Sequence, residues 1–182
     1  MDYKSKIILI AGPTASGKSK IAINLAKKIN GEIVNADSMQ VYKQLRILTA
    51  RPSEKDQKTI KHHLFGIIDV RKRFSTGQWL KKCIKIINLI RKKNKTPIIV
   101  GGTGLYFKAL VDGLVSIPKF KPSEKNKILK LHKKLGQKQF YKKLVKLDPV
   151  SKKFINLNDV NRSIRAYEVK KLTKKSLYKW FK

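Results

Sequence analysis

The residues best placed to do chemistry come early in the chain. Gly12-Pro13-Thr14-Ala15-Ser16-Gly17-Lys18-Ser19 has the spacing G-x-x-x-x-G-K-[ST]. Glycines at its two ends let the backbone curl until successive N–H groups and the start of the next helix point at one anion. Lys18 adds a point charge for the outer phosphate oxygens, and the Ser19 hydroxyl is the expected Mg2+ ligand. Such a loop holds a phosphate or diphosphate without naming the reaction. Asp37 narrows the choice. In EIVNADSMQVYK it follows an expected strand, at the edge where open α/β sheets bind ligands. A carboxylate there can hold a metal through water or accept a proton from an attacking group. Its plainer role is a turn or helix cap before Ser38. A second glycine turn, Gly101-Gly102-Thr103-Gly104, falls at the same edge. It lacks the third glycine of a dinucleotide fingerprint. It either brings backbone close to a ligand, with the Thr103 hydroxyl as donor or acceptor, or only turns a tight corner.

Other candidates read as structural. His62 and His63 are adjacent, so they do not share a metal easily, and no cysteine or carboxylate cluster completes a zinc set. Cys83 sits among Ile84, Ile86 and Ile87 with no paired base nearby, as a buried inert thiol would. One cysteine excludes an internal disulfide.

The elements that must position these residues alternate. Residues 7–11 (IILIA) read as a central strand buried on both faces, and KSKIAINLAKKI as an amphipathic helix with Ile21, Leu25 and Ile29 on one side. Further strands are expected at Glu32–Ala36, at Leu64–Val70 and at Pro97–Val100, with a helix over 75–93. Strands alternating with helices predict a parallel α/β sheet. Past about Pro118 the strands stop, and Lys-rich helical patterns follow at Pro122–Lys134, Gln137–Leu147 and Asp159–Leu172. The expected division is 1–117 and 118–182.

Across 182 residues, 44 Lys and Arg against 11 Asp and Glu give a formal charge of +33, which makes nucleic acid the first partner to consider. Lysine, isoleucine and asparagine are also what an AT-rich coding sequence over-supplies. Lysine clusters interrupted by apolar residues at helical spacing are solvated faces before they are phosphate-tracking surfaces. No apolar run approaches the roughly 18 residues of a membrane span. The start, MDYKSKIILIAGPT, carries no signal-peptide pattern.

In order and spacing, GPTASGKS, DSMQVYK, the TARP of Thr49–Pro52, HHL at 62–64, GGTGLYFKAL and DP...NLNDVNRSIRAYEV resemble the tRNA dimethylallyltransferase (tRNA isopentenyltransferase) family over nearly the whole chain. Leu48, Arg51 and Tyr167 depart from the usual family residues. The resemblance implies a P-loop NTPase-like parallel sheet flanked by helices, with a helical tRNA-binding insertion. It implies transfer of a dimethylallyl group from dimethylallyl diphosphate to N6 of the adenine just 3′ of the anticodon. Gly12, Pro13, Thr14, Ala15, Ser16, Gly17, Lys18 and Ser19 would then cradle the donor diphosphate with Mg2+, and Asp37 would accept the N6 proton. Asp37, Ser38, Met39 and Gln40 would contact the tRNA, and Thr103 would line the channel where base meets donor. Lys125 and the run Asn161, Arg162, Ser163, Ile164 and Arg165 would grip the anticodon stem-loop. The implied setting is a cytoplasmic monomer. Family members also carry a further carboxyl-terminal portion that returns to the core sheet, so residues 1–182 alone are expected to be marginally stable, with an open sheet edge, to bind RNA through salt-sensitive phosphate contacts, and to transfer prenyl groups poorly or not at all. Without the resemblance, the residues also admit an ATP-dependent small-molecule or nucleotide kinase, or an inactive basic RNA-binding remnant.

Overall fold

The structure, a computed structural model, describes residues 6–181. The expectation about the chain's first residues lies partly outside that range. Two compact units divide between Leu114 and Val115.

The first unit is built on four parallel strands in the order β1-β4-β2-β3: β1 (Ile8–Ala11), β2 (Gly31–Asn35), β3 (His62–His63) and β4 (Thr96–Gly101). The central pair, β2 and β4, is buried throughout, and successive residues face opposite layers. Ile33, Ile98 and Val100 pack with Ala22 and Ala26 of α1 (Lys18–Ile29). Val34, Ala36 and Ile99 pack with Trp79, Cys83, Ile87 and Ile90 of α3 (Thr76–Lys92) and with Tyr106 of α4 (Gly104–Asp112). Ser75 and Gln78 start α3 with a reciprocal capping box. A short α2 (Glu54–Thr59) is capped in the same way by Ser53 and Asp56. Burial pushes the Cys83 thiol up to about 12, as expected of an inert core cysteine.

Two strand expectations need correcting. β1 is an edge strand among the described residues: Ile8 and Ile10 pack on the α1 side, while Leu9 is 41% exposed on the other. The third strand is His62–His63, not Leu64–Val70, because Leu64 (φ 64°) and Gly66 (φ 57°) are left-handed and break the ladder. Beyond them only the isolated bridge between Tyr42 and Ile68 forms.

The second unit is helical. Its longest run, α5 (Pro122–Leu147), is two helices broken at Gly136 (φ 70°, ψ 165°), which matches the two separate helices expected there. α6 (Val160–Thr173) and α7 (Leu177–Trp180) complete it. Phe140, Leu144, Ala166, Tyr167 and Val169 form its core. The buried Asp148 carboxylate accepts hydrogen bonds from Ser151 (2.9 Å) and Ser176 (2.8 Å), tying the α5 exit to the start of α7. No helix among the described residues is long and apolar enough to cross a membrane.

Candidate functional site

The site forms where three strands end. Gly12 N donates to the Gly101 carbonyl (3.3 Å), Ala36 N to Val100 (2.7 Å) and Thr103 N to Ala36 (3.2 Å). A Cβ on Gly101 would stand 2.2 Å from both the carbonyl carbon and the oxygen of Ala36, so only glycine lets β4 approach β2 this closely. The glycine turn therefore closes the floor of the site.

Beyond β1 the loop turns through Ala15 (φ 64°) and Gly17 (φ 78°) into α1, whose first turn has no acidic residue and whose N-cap makes no side-chain bond. Free N–H groups and the positive helix end thus face outward. Lys18 Nζ folds back onto the Pro13 carbonyl, and Ser16 Oγ donates to the same oxygen at 2.9 Å. A strand, glycine loop and helix at the carboxyl edge of a parallel sheet define a P-loop protein of NTPase-like fold.

Asp37 follows β2 and is fixed by its neighbours. Its Oδ1 accepts from Met39 N (2.8 Å) and Gln40 N (3.3 Å), while Oδ2 accepts none of the hydrogen bonds found among the described residues. Fully buried Asn35 holds the loop from beneath. Its Oδ1 accepts from Asp37 N (2.9 Å), and its Nδ2 donates to the carbonyls of Asp37 (3.0 Å) and Leu64 (3.2 Å). Trp79 Nε1 anchors Asn35 in turn, donating to its carbonyl at 2.8 Å.

The loop and Asp37 line one pocket of about 390 Å3. Thr14 to Lys20 form one wall, with Asp37 and Gln40 also lining it, and Gln40 Nε2 donates to the Thr49 carbonyl at 2.7 Å. Beside Thr49, Ala50 and Gly101, the rest of the lining is apolar or aromatic: Ala22, Ile33, Pro52, His62, Phe65 and Val100. His62 meets Phe65 edge-on, with ring centroids 5.5 Å apart. Burial above all holds its imidazole below the ordinary value, against the pull of the Ile60 carbonyl and Asp56. It is therefore neutral at pH 7.

Ser38, Met39 and Thr103 stand beside Asp37 without lining this pocket. Thr103 Oγ1 accepts from Ser38 N (2.9 Å) and bonds Ser38 Oγ (3.3 Å), so its hydroxyl braces the Asp37 loop. In the second unit Lys125, Asn161 and Arg162 are exposed. Arg162 pairs with Asp159 (3.3 Å), and Arg165 pairs with Glu168 (3.3 Å) and lies over the Phe120 ring (5.6 Å). Ser163 is fully buried and accepts from Gln137 at 3.2 Å, and Ile164 packs on the core. Helical periodicity thus divides the run Asn161–Arg165 into contact and support positions. Sequence reasoning did not place His62, Phe65 and Pro52 at the pocket. They reach it from two later segments, around the TARP and HHL motifs, whose residue types suggest no ligand chemistry of their own.

Residues 40–182 match the family described as IPP transferase. The chain is 61% identical over 180 residues to the tRNA dimethylallyltransferase of Pelagibacter ubique (strain HTCC1062), covering 99% of this chain and 58% of that protein. It is 44% identical to the enzyme of that name from Caulobacter sp. (strain K31), covering 97% of this chain and 57% of that protein. Among solved structures, a eukaryotic dimethylallyltransferase acting on tRNA superposes with a TM-score of 0.80 at 32% identity, over 96% of this chain and 44% of that one. The full-length tRNA isopentenylpyrophosphate transferase of Bacillus halodurans gives 0.60 at 35% identity, over 92% and 56%. The chain belongs to the IPP transferase family, and it spans somewhat more than half the length of these curated relatives.

Proposed function

We propose that this chain binds dimethylallyl diphosphate in the pocket between the phosphate loop and Asp37, and serves transfer of the dimethylallyl group to N6 of the adenine 3′ to the tRNA anticodon. The observation that carries the reading is the pocket's two-sided chemistry. An anion-binding loop and an apolar wall of Ile33, Phe65 and Val100 share one cavity, as a diphosphate with a short hydrocarbon tail requires. Asp37 lines the same cavity with an uncommitted oxygen.

In the proposed reaction the adenine N6 attacks C1 of the donor and the C1–O bond breaks. Diphosphate leaves on the loop N–H groups and Lys18, and the N6 proton passes to Asp37 Oδ2. The turn that fixes Oδ1 leaves Oδ2 to accept it. The uncharged side chains of His62 and Phe65 on the same cavity suit the hydrocarbon end of the donor. The Ser19 hydroxyl and donor phosphate oxygens are hard ligands suited to Mg2+. Bound there, the ion would neutralise charge on the leaving diphosphate. Among the described residues no cluster of three His, Cys, Asp or Glu offers another cation site. In this reading the protein acts as a cytoplasmic monomer, with Lys125, Asn161, Arg162 and Arg165 among the residues that meet the tRNA.

The test is transfer of labelled dimethylallyl from its diphosphate to an anticodon stem-loop RNA by residues 1–182, with the target adenine replaced by guanine as control. Donor binding that Lys18→Ala weakens, with any label, however weak, on the adenine RNA alone, is the expected result. No donor binding, or equal label on the guanine control, would contradict the proposal.

A further inference from the structure

The first unit has a second groove of about 390 Å3 on its surface, lined by Lys72, Arg73, Lys81, Lys82 and Lys85 above Ile68 and Phe74. Gln78, Lys81, Lys82 and Lys85 recur at i, i+3, i+4 and i+7 of α3, so one helix face presents them together. All five cationic residues are exposed, and no carboxylate lines the groove. The nearby acid is Asp69. Arg71, which donates to it at 2.8 and 2.9 Å, holds its carboxyl far below the usual range, and Gln44 donates at 3.0 Å. Lys72 adds only a longer-range attraction to that carboxylate.

Like charges gathered around an apolar floor repel one another in the free protein, and a ligand of repeating negative charge relieves them best. A cationic groove with an aromatic side chain is the general form of sites that track a nucleic-acid strand. The groove also lies toward the active edge of the sheet. α3 runs antiparallel to the strands, so its first half lies near their carboxyl ends. Ile68 is hydrogen-bonded to Val41 (3.0 Å) and Lys43 (2.8 Å), just past the Asp37 loop. We propose that this groove binds the phosphate backbone of unpaired or looped RNA outside the pocket. The proposal rests on the function above only for the identity of the polyanion.

The test compares two variants that lose the same charge. One is Lys81→Gln/Lys82→Gln/Lys85→Gln in the groove. The other is Lys27→Gln/Lys28→Gln/Lys93→Gln, at exposed positions near the opposite ends of α1 and α3. Anticodon stem-loop binding to the full chain is followed by fluorescence anisotropy over a potassium chloride series, with circular dichroism to check the fold. Calorimetry with dimethylallyl diphosphate serves as a second readout. The groove variant should bind RNA about tenfold or more weakly near 0.1 M salt. Its slope of log K against log salt should shrink by about two, as the removal of three charges from single-strand phosphates implies. Donor affinity should not change, and the control should move the slope by less than about one. Equal effects from both variants, no effect from the groove variant, or no RNA binding by the wild type would overturn the proposal. So would a groove variant that keeps RNA but loses phosphatidylglycerol vesicles. Groove-dependent binding without prenyl transfer breaks the proposed reaction and leaves the groove. Transfer with unaltered RNA binding in the groove variant does the reverse.

Discussion

The edge of the α/β sheet and the surface of the helical unit are both proposed to touch substrate, but they are held in different ways. At the sheet edge the Asp37 loop and the glycine turn are placed by close backbone approach and part-buried hydrogen bonds: Gly101 against Ala36, Asn35 beneath Asp37, Thr103 against Ser38. In the helical unit the core fixes Ser163 and Ile164, while Lys125, Asn161 and Arg162 are exposed side chains on helical positions. Chemistry needs atoms held to fractions of an ångström, whereas holding a polyanion needs a field. Substitutions at the first region should therefore act steeply and singly. Those at the second should act shallowly and by accumulation.

The largest effect expected is from Gly101→Ala. Its methyl group would overlap the Ala36 backbone, so we expect roughly 3 kcal/mol of destabilisation or more in urea unfolding. Wild-type stability would break the claim that backbone approach sets this edge. Next is Lys18→Ala, which should weaken dimethylallyl diphosphate by about 10- to 100-fold, the worth of a charged hydrogen bond. RNA affinity at low salt should hold. Loss of RNA binding with donor affinity intact would mean the two substrates had been assigned to the wrong places.

How much of this was legible in the sequence depended on whether the cause was local. The phosphate loop was readable because G-x-x-x-x-G-K-S encodes its own turn, with Gly17 at φ 78°. The Gly136 break between two helices was readable for the same kind of reason. The place of β1 in the sheet was not, because IILIA carries no information about which strands flank it. The third strand was misplaced because apolar content in Leu64–Val70 suggested a ladder, while the left-handed turns at Leu64 and Gly66 give no apolar signal. α4 was hidden by its glycine-rich start, although Leu105–Val111 is helical. The apolar wall at Phe65 and His62 depends on tertiary proximity that no spacing rule reports.

Acid should act more gently. His62 has a folded-state pKa below 6.5, chiefly through burial, so the stability it contributes is present above pH 6.5 and lost as pH falls below it. Burial raises the Glu32 carboxyl, but His63 (2.7 Å) and Lys95 (3.1 Å) outweigh it and hold it below 4.5. Its contribution is lost only as pH falls below that value. Melting temperature against pH should decline in these two stages, and His62→Phe should flatten the upper one. An unchanged profile in that variant would remove His62 from the account. Smallest of all should be Lys125→Gln with Arg162→Gln: less than tenfold in RNA affinity, and about one unit of salt slope for each phosphate no longer neutralised. A hundredfold weakening would show the helical unit to be as finely set as the sheet edge.

The measurement closest to the central claim is single-turnover transfer by Asp37→Asn. The amide keeps an oxygen for Met39 N and Gln40 N, so the turn should survive, and donor and RNA affinities should stay near wild type. The transfer rate should fall by roughly 10²- to 10⁴-fold, as loss of a general base does. A rate near that of the wild type would contradict the assignment of Asp37 as the proton acceptor.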